Sequence, residues 1–178
     1  MTLLGKNHFE LFGLPVQFEL DIGSIAQRYR ELQRATHPDQ FASGTEQEQR
    51  LAVQQAAQVN DAYQTIKSPL KRAQYLLQLK GNPLDETDTQ MDMGFLMQQM
   101  EMREELENVP NTDDPFAALD KIRSELKSDL SAVTQLAASQ LDGEGELANA
   151  RESVKKMQFL YKVQQEMNEL EEQLVEQL

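Results

Sequence analysis

The sequence predicts an all-α protein, with an N-terminal helical hairpin flanked by short helices and a C-terminal antiparallel three-helix bundle. Two observations support this fold class. Apolar residues recur at steps of three and four along most of the 178-residue chain, which is the period of an amphipathic helix. Prolines, glycines and capping residues divide that pattern into separate helical segments, and beyond residue 90 no strand pattern competes with it.

The N-terminal unit is centred on the predicted hairpin. Asp21 is a favourable N-cap for a helix over 22–36. A capping box, Thr45–Glu48, opens a second helix that runs to the Ser68-Pro69 break. Two helices with a short connection pack antiparallel, so residues 37–44 should form an exposed tip. The predicted buried stripe of the first helix consists of Ile22, Ile25, Tyr29, Leu32 and Thr36.

The tripeptide His37-Pro38-Asp39 lies at this tip. His37 falls at the dipole-negative end of the helix, Pro38 prevents the helix from continuing, and Asp39 begins a polar loop. A helix stop alone would explain this pattern, so a purely structural role remains an alternative. The outward face of the preceding helix carries more positive than negative charge, which could steer an acidic partner. Its charged residues are Arg28, Arg30, Arg34 and Glu31.

Short helices flank the hairpin. Residues 7–14 form the first and end before Pro15, whereas Pro69 opens the last, which continues to Lys80-Gly81. The turn-rich segment 81–90 then reads as a connection, which predicts a first domain over 1–80. His8 is interpreted as a surface histidine without a functional role.

The remaining chain, 91–178, is predicted to form the three-helix bundle. Its helices are expected over about 91–109, 115–141 and 146–177. In the last of them, apolar residues alternate three- and four-residue steps, which is typical of a bundle seam. The seam residues are Leu160, Val163, Met167, Leu170 and Leu174.

The first bundle helix carries two apolar stripes on nearly opposite sides. One consists of Phe95, Met102, Leu106 and Val109, and the other of Met93, Leu96, Met97 and Met100. The second stripe could pack on the first domain or lie at the centre of the bundle. Because it is rich in methionine and bordered by charge, we favour an adaptable docking site for a protein.

Composition argues for a binding protein. The chain has no cysteine and two histidines, so it cannot by itself build a zinc site, a disulfide framework or a cysteine-ligated cluster. It shows no Ser-His-Asp set and no Gly-rich phosphate loop. We therefore expect no enzymatic activity, no cofactor and no metal.

Charge is distributed unevenly along the chain. Residues 1–80 hold 9 Lys and Arg against 8 Asp and Glu, whereas residues 81–178 hold 8 against 22. The acidic C-terminal half argues against nucleic-acid binding. The sequence contains no run of 18 apolar residues, so we expect no membrane-spanning helix, and no basic or Arg-rich leader follows Met1. A bacterial-type cytoplasm is the expected location.

The N-terminal unit resembles the J-domain of DnaJ-type co-chaperones. The resemblance rests on four motifs: the segment His8–Pro15, the tripeptide His37-Pro38-Asp39, Asn60–Tyr63 in the second hairpin helix, and Arg72–Tyr75 in the last helix. J-domains usually carry lysine after the tripeptide, where this chain has Gln40. A peripheral charge contact is therefore missing or supplied by a neighbouring arginine.

With the segment Phe95–Glu107 and the bundle included, nearly the whole chain resembles the HscB family of iron–sulfur co-chaperones. The resemblance implies a non-enzymatic protein that stimulates the ATPase of the DnaK-type chaperone HscA and delivers the scaffold IscU to it. A general J-domain holdase for unfolded chains is the alternative. The implied chaperone-binding residues are His37, Pro38, Asp39, Arg28, Arg30 and Arg34. The implied scaffold-binding residues are Leu96, Met97, Met100, Glu101, Arg103, Glu104 and Phe159.

Overall fold

A computed structural model describes residues 5–85 and 91–176. Within these ranges the chain is helical and contains no strand, which confirms the all-α fold class. The chain divides into two compact units after Lys80. Part of the predicted connection, 86–90, lies outside the described residues. The α-helices are α1 (His8–Phe12), α2 (Ile22–Thr36), α3 (Glu46–Lys67), α4 (Pro69–Leu79), α5 (Met93–Asn108), α6 (Pro115–Asp142) and α7 (Leu147–Glu176), with short 3-10 turns at Pro38–Phe41 and Val109–Asn111.

The hairpin of α2 and α3 begins where the capping residues predict. The Asp21 carboxylate accepts the Gly23 N–H at 3.0 Å, and the Thr45 hydroxyl accepts the Glu48 N–H at 3.3 Å. The predicted stripe is wrong at Ile22, which is exposed: it occupies the first helical position, and helical side chains tilt toward the N-terminus, away from the packed turns. The core of this unit includes Phe9, Phe12, Ile25, Leu32, Val59, Ala62, Ile66, Ala73, Leu76 and Leu77.

Two aromatic stacks join the helices of the first unit. Tyr29 of α2 stacks on Tyr63 of α3 with ring centroids 4.0 Å apart, and its hydroxyl donates to Asn60 at 2.8 Å. Tyr75 of α4 stacks on His8 of α1 at 4.2 Å, and its hydroxyl accepts the His8 backbone N–H at 3.2 Å. Residues of both resemblance motifs in α3 and α4 thus hold helices together.

His8 is therefore not a surface histidine, and that interpretation is wrong. Besides the stack on Tyr75, its Nε2 lies 3.4 Å from the Asp61 carboxylate. Desolvation by burial lowers the pKa of His8 below 6.5, and the charge of Asp61 opposes that shift. Burial dominates, so the folded unit favours the neutral ring.

Arg72 connects α4 to the rest of the first unit. Its Nη1 donates to the carbonyl of Ile66 at 2.6 Å, near the end of α3. Its guanidinium also lies 4.5 Å from the ring centroid of Phe18, in the segment between α1 and α2. Arg72 thereby links α4 to the end of α3 and to the segment between α1 and α2.

The second unit is a three-helix bundle in which α6 and α7 pack along much of their length and the shorter α5 lies against both. Three residues of the predicted seam, Leu160, Val163 and Met167, are fully buried, and Leu170 and Leu174 pack on the same core. The core cluster consists of Phe95, Leu106, Val109, Leu119, Ile122, Leu126, Leu130, Leu160, Val163 and Met167.

Candidate functional site

The tripeptide His37-Pro38-Asp39 is presented to solvent at the tip of the hairpin. His37 ends α2 in extended geometry, and Pro38 begins a 3-10 turn rather than the loop expected from the sequence, because its fixed φ suits a first helical position. The side chains of His37 and Asp39 are 53% and 90% exposed. Nδ1 of His37 accepts the Asp39 N–H at 3.3 Å, so in the neutral ring Nε2 carries the proton and can donate to a partner.

The tip is held in place from its α3 side. Gln49 Nε2 donates to the carbonyls of Ala42 at 3.1 Å and Gly44 at 3.2 Å. Glu48 accepts the backbone N–H of Thr45 at 2.8 Å and its hydroxyl at 2.9 Å, and these hydrogen bonds lower the pKa of Glu48. Backbone N–H groups of Gln40 and Ala42 donate to the carbonyls of His37 at 3.0 Å and Asp39 at 3.3 Å, which ties the tripeptide to this segment. The tip therefore has a preformed geometry, which reduces the entropy lost on binding.

The arginines beside the tip fall into two classes. Arg28 Nη1 binds Glu31 Oε2 at 3.1 Å, and this hydrogen bond lowers the pKa of Glu31. Arg30 and Arg34 are exposed, and neither forms an ion pair with any residue that the structure describes. Among the described residues, the positive charge near the tip that lacks a direct ion-pair contact thus lies on Arg30 and Arg34; Glu31 contacts Arg28 directly and acts on Arg34 only over a longer distance.

The exposed side of α5 is apolar at its centre. Met93, Met97 and Met100 are 71%, 58% and 63% exposed, and we call these three residues the methionine face. They follow one another at helical spacing, while Phe95 and Leu106 point into the bundle core. The other predicted docking residues of this helix are half-buried Leu96 and exposed Glu101 and Glu104. Charge around an exposed apolar centre is the pattern of a protein-docking surface.

Arg103 and Phe159 meet at the edge between α5 and α7. The Arg103 guanidinium lies 4.7 Å from the Phe159 ring centroid, and it donates two hydrogen bonds to Glu166, at 3.2 Å from Nε and 2.9 Å from Nη2. Phe159 also packs edge-on against Phe95 at 5.9 Å. The structure thus brings together two predicted docking residues that lie 56 positions apart in the chain. The sequence did not predict the contact of Glu166 with Arg103, because an acidic residue on a solvated helix face has no distinguishing pattern.

An exposed His-Pro-Asp tip on a helical hairpin, followed by a separate helical bundle, is typical of J-domain co-chaperones. Family comparisons agree: residues 7–75 match the DnaJ domain, and residues 91–168 match the HSCB C-terminal oligomerisation domain. The chain belongs to the HscB family, a family of co-chaperones and not of enzymes, and this confirms the resemblance found in the sequence. As a J-domain protein, its partner class is a DnaK-type chaperone.

Individual relatives span almost the whole chain. The co-chaperone protein HscB homolog of Aliivibrio fischeri (strain MJ11) is 46% identical, over 95% of this chain and 99% of its own length. The chaperone HscB structure from Vibrio cholerae superposes with a TM-score of 0.87 at 44% identity, over 95% of this chain and 99% of that one. The crystal structure of human co-chaperone protein HscB superposes with a TM-score of 0.86 at 30% identity, over 93% of this chain and 82% of that one.

Across residues 5–85 and 91–176, no helix is both long and apolar enough to cross a membrane. In the same ranges, no three His, Cys, Asp or Glu side chains cluster in a way that could hold a metal ion.

Proposed function

We propose that this protein stimulates the ATPase of an HscA-type DnaK chaperone and delivers an IscU-type iron–sulfur scaffold to it, supporting cluster assembly and transfer in the bacterial cytoplasm. The observation that carries the proposal is the presence of two chemically different exposed surfaces on one chain. One is a polar tip beside unpaired arginines, and the other is an apolar helix face bordered by acid. In this proposal residues 1–80 act as the J-domain, 81–90 connect, and 91–178 hold the scaffold.

In this proposal the chaperone binds the His-Pro-Asp tip together with the exposed arginines of α2. His37 offers a donor from Nε2, Asp39 offers an almost fully exposed carboxylate, and Pro38 keeps the two at a fixed separation. Arg30 and Arg34 supply the positive field that attracts an acidic chaperone surface. Arg28 contributes less because Glu31 compensates it. Gln40, which stands where J-domains usually have lysine, leaves the attraction to these arginines.

The scaffold arm is centred on Leu96, Met97 and Met100. Exposed methionines adapt to an apolar partner at little loss of packing, and their burial supplies the main affinity. Glu101 and Glu104 form the charged rim, which selects a partner with basic residues around its own apolar patch. Phe159, held by Arg103, extends the surface onto α7.

Coupling between the two arms follows from binding equilibria. A co-chaperone shifts its chaperone toward hydrolysis only if it binds the hydrolysis-competent state more tightly than the other states. A scaffold held by the bundle reaches the chaperone at high effective concentration, since both arms belong to one chain.

The proposal is tested by steady-state ATPase of an HscA-type chaperone alone, with this protein, with IscU, and with both. We expect the protein to raise the ATPase rate of the chaperone, and the rate to rise further when the scaffold is added. One chain then presents both the His-Pro-Asp tip and the bound scaffold to the chaperone. If the protein were a general J-domain holdase, a denatured polypeptide would raise the ATPase rate as much as IscU does. A structural adaptor whose tripeptide is only a helix stop would leave the ATPase rate unchanged.

A further inference from the structure

An unbroken series of contacts runs across the α5–α7 edge. Phe95 contacts Phe159 edge-on with centroids 5.9 Å apart, Arg103 lies over the Phe159 ring at 4.7 Å, and Glu166 holds Arg103 through two hydrogen bonds of 2.9 and 3.2 Å. Two of these residues, Arg103 and Phe159, belong to the proposed scaffold surface, and Phe95 belongs to the bundle core. Glu166, at the end of the series, has no assigned role.

The Arg103–Glu166 pair acts mainly through its geometry. Its side chains are 34% and 40% exposed, and ion pairs that are this accessible to solvent contribute little to stability. A bidentate guanidinium–carboxylate pair does, however, fix the orientation of the guanidinium plane. Here the guanidinium lies over the partly exposed ring of Phe159, which also makes a T-shaped contact with the buried ring of Phe95.

We propose that Glu166 is a positioning residue for scaffold docking: it orients Arg103, and Arg103 keeps the Phe159 ring in its binding-competent rotamer. This inference rests on the proposed function, because it concerns the same scaffold surface. In this proposal Arg103 acts as a clamp on an aromatic anchor, rather than as a charge that contacts the partner directly. Preorganised anchors bind more tightly because less side-chain entropy is lost on association.

The two roles of Arg103 predict opposite effects of removing Glu166. If Arg103 were a free docking charge, Glu166→Ala would release it, and the affinity for the scaffold would stay the same or rise. If Arg103 is a clamp, the same substitution frees the Phe159 ring, and affinity falls. We expect the Kd to rise about tenfold, part of what truncation of an aromatic anchor would cause. Glu166→Gln, which keeps the shape but loses the charge, should give a smaller rise.

A matched control is available on the same helix. Glu171 of α7 binds Arg123 of α6 at 2.6 Å, so Glu171→Ala also removes an interhelical ion pair of the bundle. We expect Glu171→Ala to change the Kd less than twofold. Denaturation midpoints of both variants, measured on the full chain, should fall by similarly small amounts, which separates positioning from general loss of stability.

The deciding experiment is calorimetric titration with IscU of wild type, Glu166→Ala, Phe159→Leu and the double variant. With Phe159 absent there is no ring to orient, so Glu166→Ala should add less than about a twofold effect in that background. An equal effect in both backgrounds, or unchanged affinity of the single variant, would overturn the positioning role. A wild-type chain that does not bind IscU would overturn the proposed function itself, and this inference with it.

Discussion

Truncation of the exposed side of α5 tests whether it is a docking site or part of the core. The change is Met97→Ala with Met100→Ala in the full chain. Because these residues are 58% and 63% exposed, about 40% of each is covered in the folded state. Full burial of a methionine is worth about 1.5–3 kcal/mol, so each truncation should lower the free energy of unfolding by at most about 1 kcal/mol. The better helix propensity of alanine offsets part of that loss.

Adding Leu96→Ala extends the test to a half-buried residue, and we expect this third change to destabilise the fold more than either methionine change. A core reference is Leu126→Ala, which truncates a residue that is 1% exposed and should by itself cost about 2–5 kcal/mol. Leu136→Ala removes a half-exposed leucine of α6 and serves as the surface control. It should alter neither folding nor scaffold binding by much.

The assay pairs a urea denaturation midpoint with a calorimetric titration of the scaffold on the same preparation. Central apolar anchors cost about 2 kcal/mol or more when truncated, so the methionine double variant should lose most of its affinity for IscU. Its own stimulation of the chaperone through the hairpin tip should persist. A fall in the midpoint as large as that of the core reference, with scaffold affinity retained, would refute the assignment of the docking site to this helix.

Three further predictions concern the first unit. His37→Gln should abolish ATPase stimulation while circular dichroism and thermal unfolding stay within about 0.5 kcal/mol of wild type, because the side chain is at an exposed tip. Arg30→Ala and Arg34→Ala should each slow association with the chaperone in stopped flow, and added salt should erase much of the wild-type advantage. Arg28→Ala is the matched control and should have a smaller effect, since its charge is paired. Finally, burial lowers the pKa of His8, so the unfolded chain binds a proton more readily than the folded one. The stabilisation from the neutral, packed ring is therefore present above pH 6.5 and is lost as the pH falls toward the folded-state pKa. Urea midpoints of wild type should therefore decline more steeply with acidification than those of His8→Gln.

Each of these expectations has a contrary outcome. A His37 variant that unfolds, or that stimulates fully, would remove the tip from the mechanism. Association rates that ignore salt and both arginine substitutions would exclude steering. Parallel pH profiles for wild type and the His8 variant would mean that the ring is not kept neutral by its burial.

The sequence alone determined the helices and their ends. Local chemistry sets these features: Asp21 and the Thr45–Glu48 box satisfy first-turn N–H groups, and Pro69 and Pro115 each begin a helix. Helical periodicity also distinguished the core side from the exposed side of α5 and α7, and of α2 except at Ile22, since a residue's direction around the axis follows from its position. Motif resemblance added the family, which the comparisons confirm.

Only the tertiary structure decided which side chains meet between helices. Glu166 lies 63 residues from Arg103, and Tyr75 lies 67 residues from His8, so neither pairing follows from local spacing. Periodicity states which face a residue occupies, but the residue that opposes it depends on how the helices are rotated and offset when their cores pack. For this reason the sequence alone predicts neither the stack of His8 on Tyr75 nor the pairing of Arg103 with Glu166. Both are contacts that exist only after the helices have assembled.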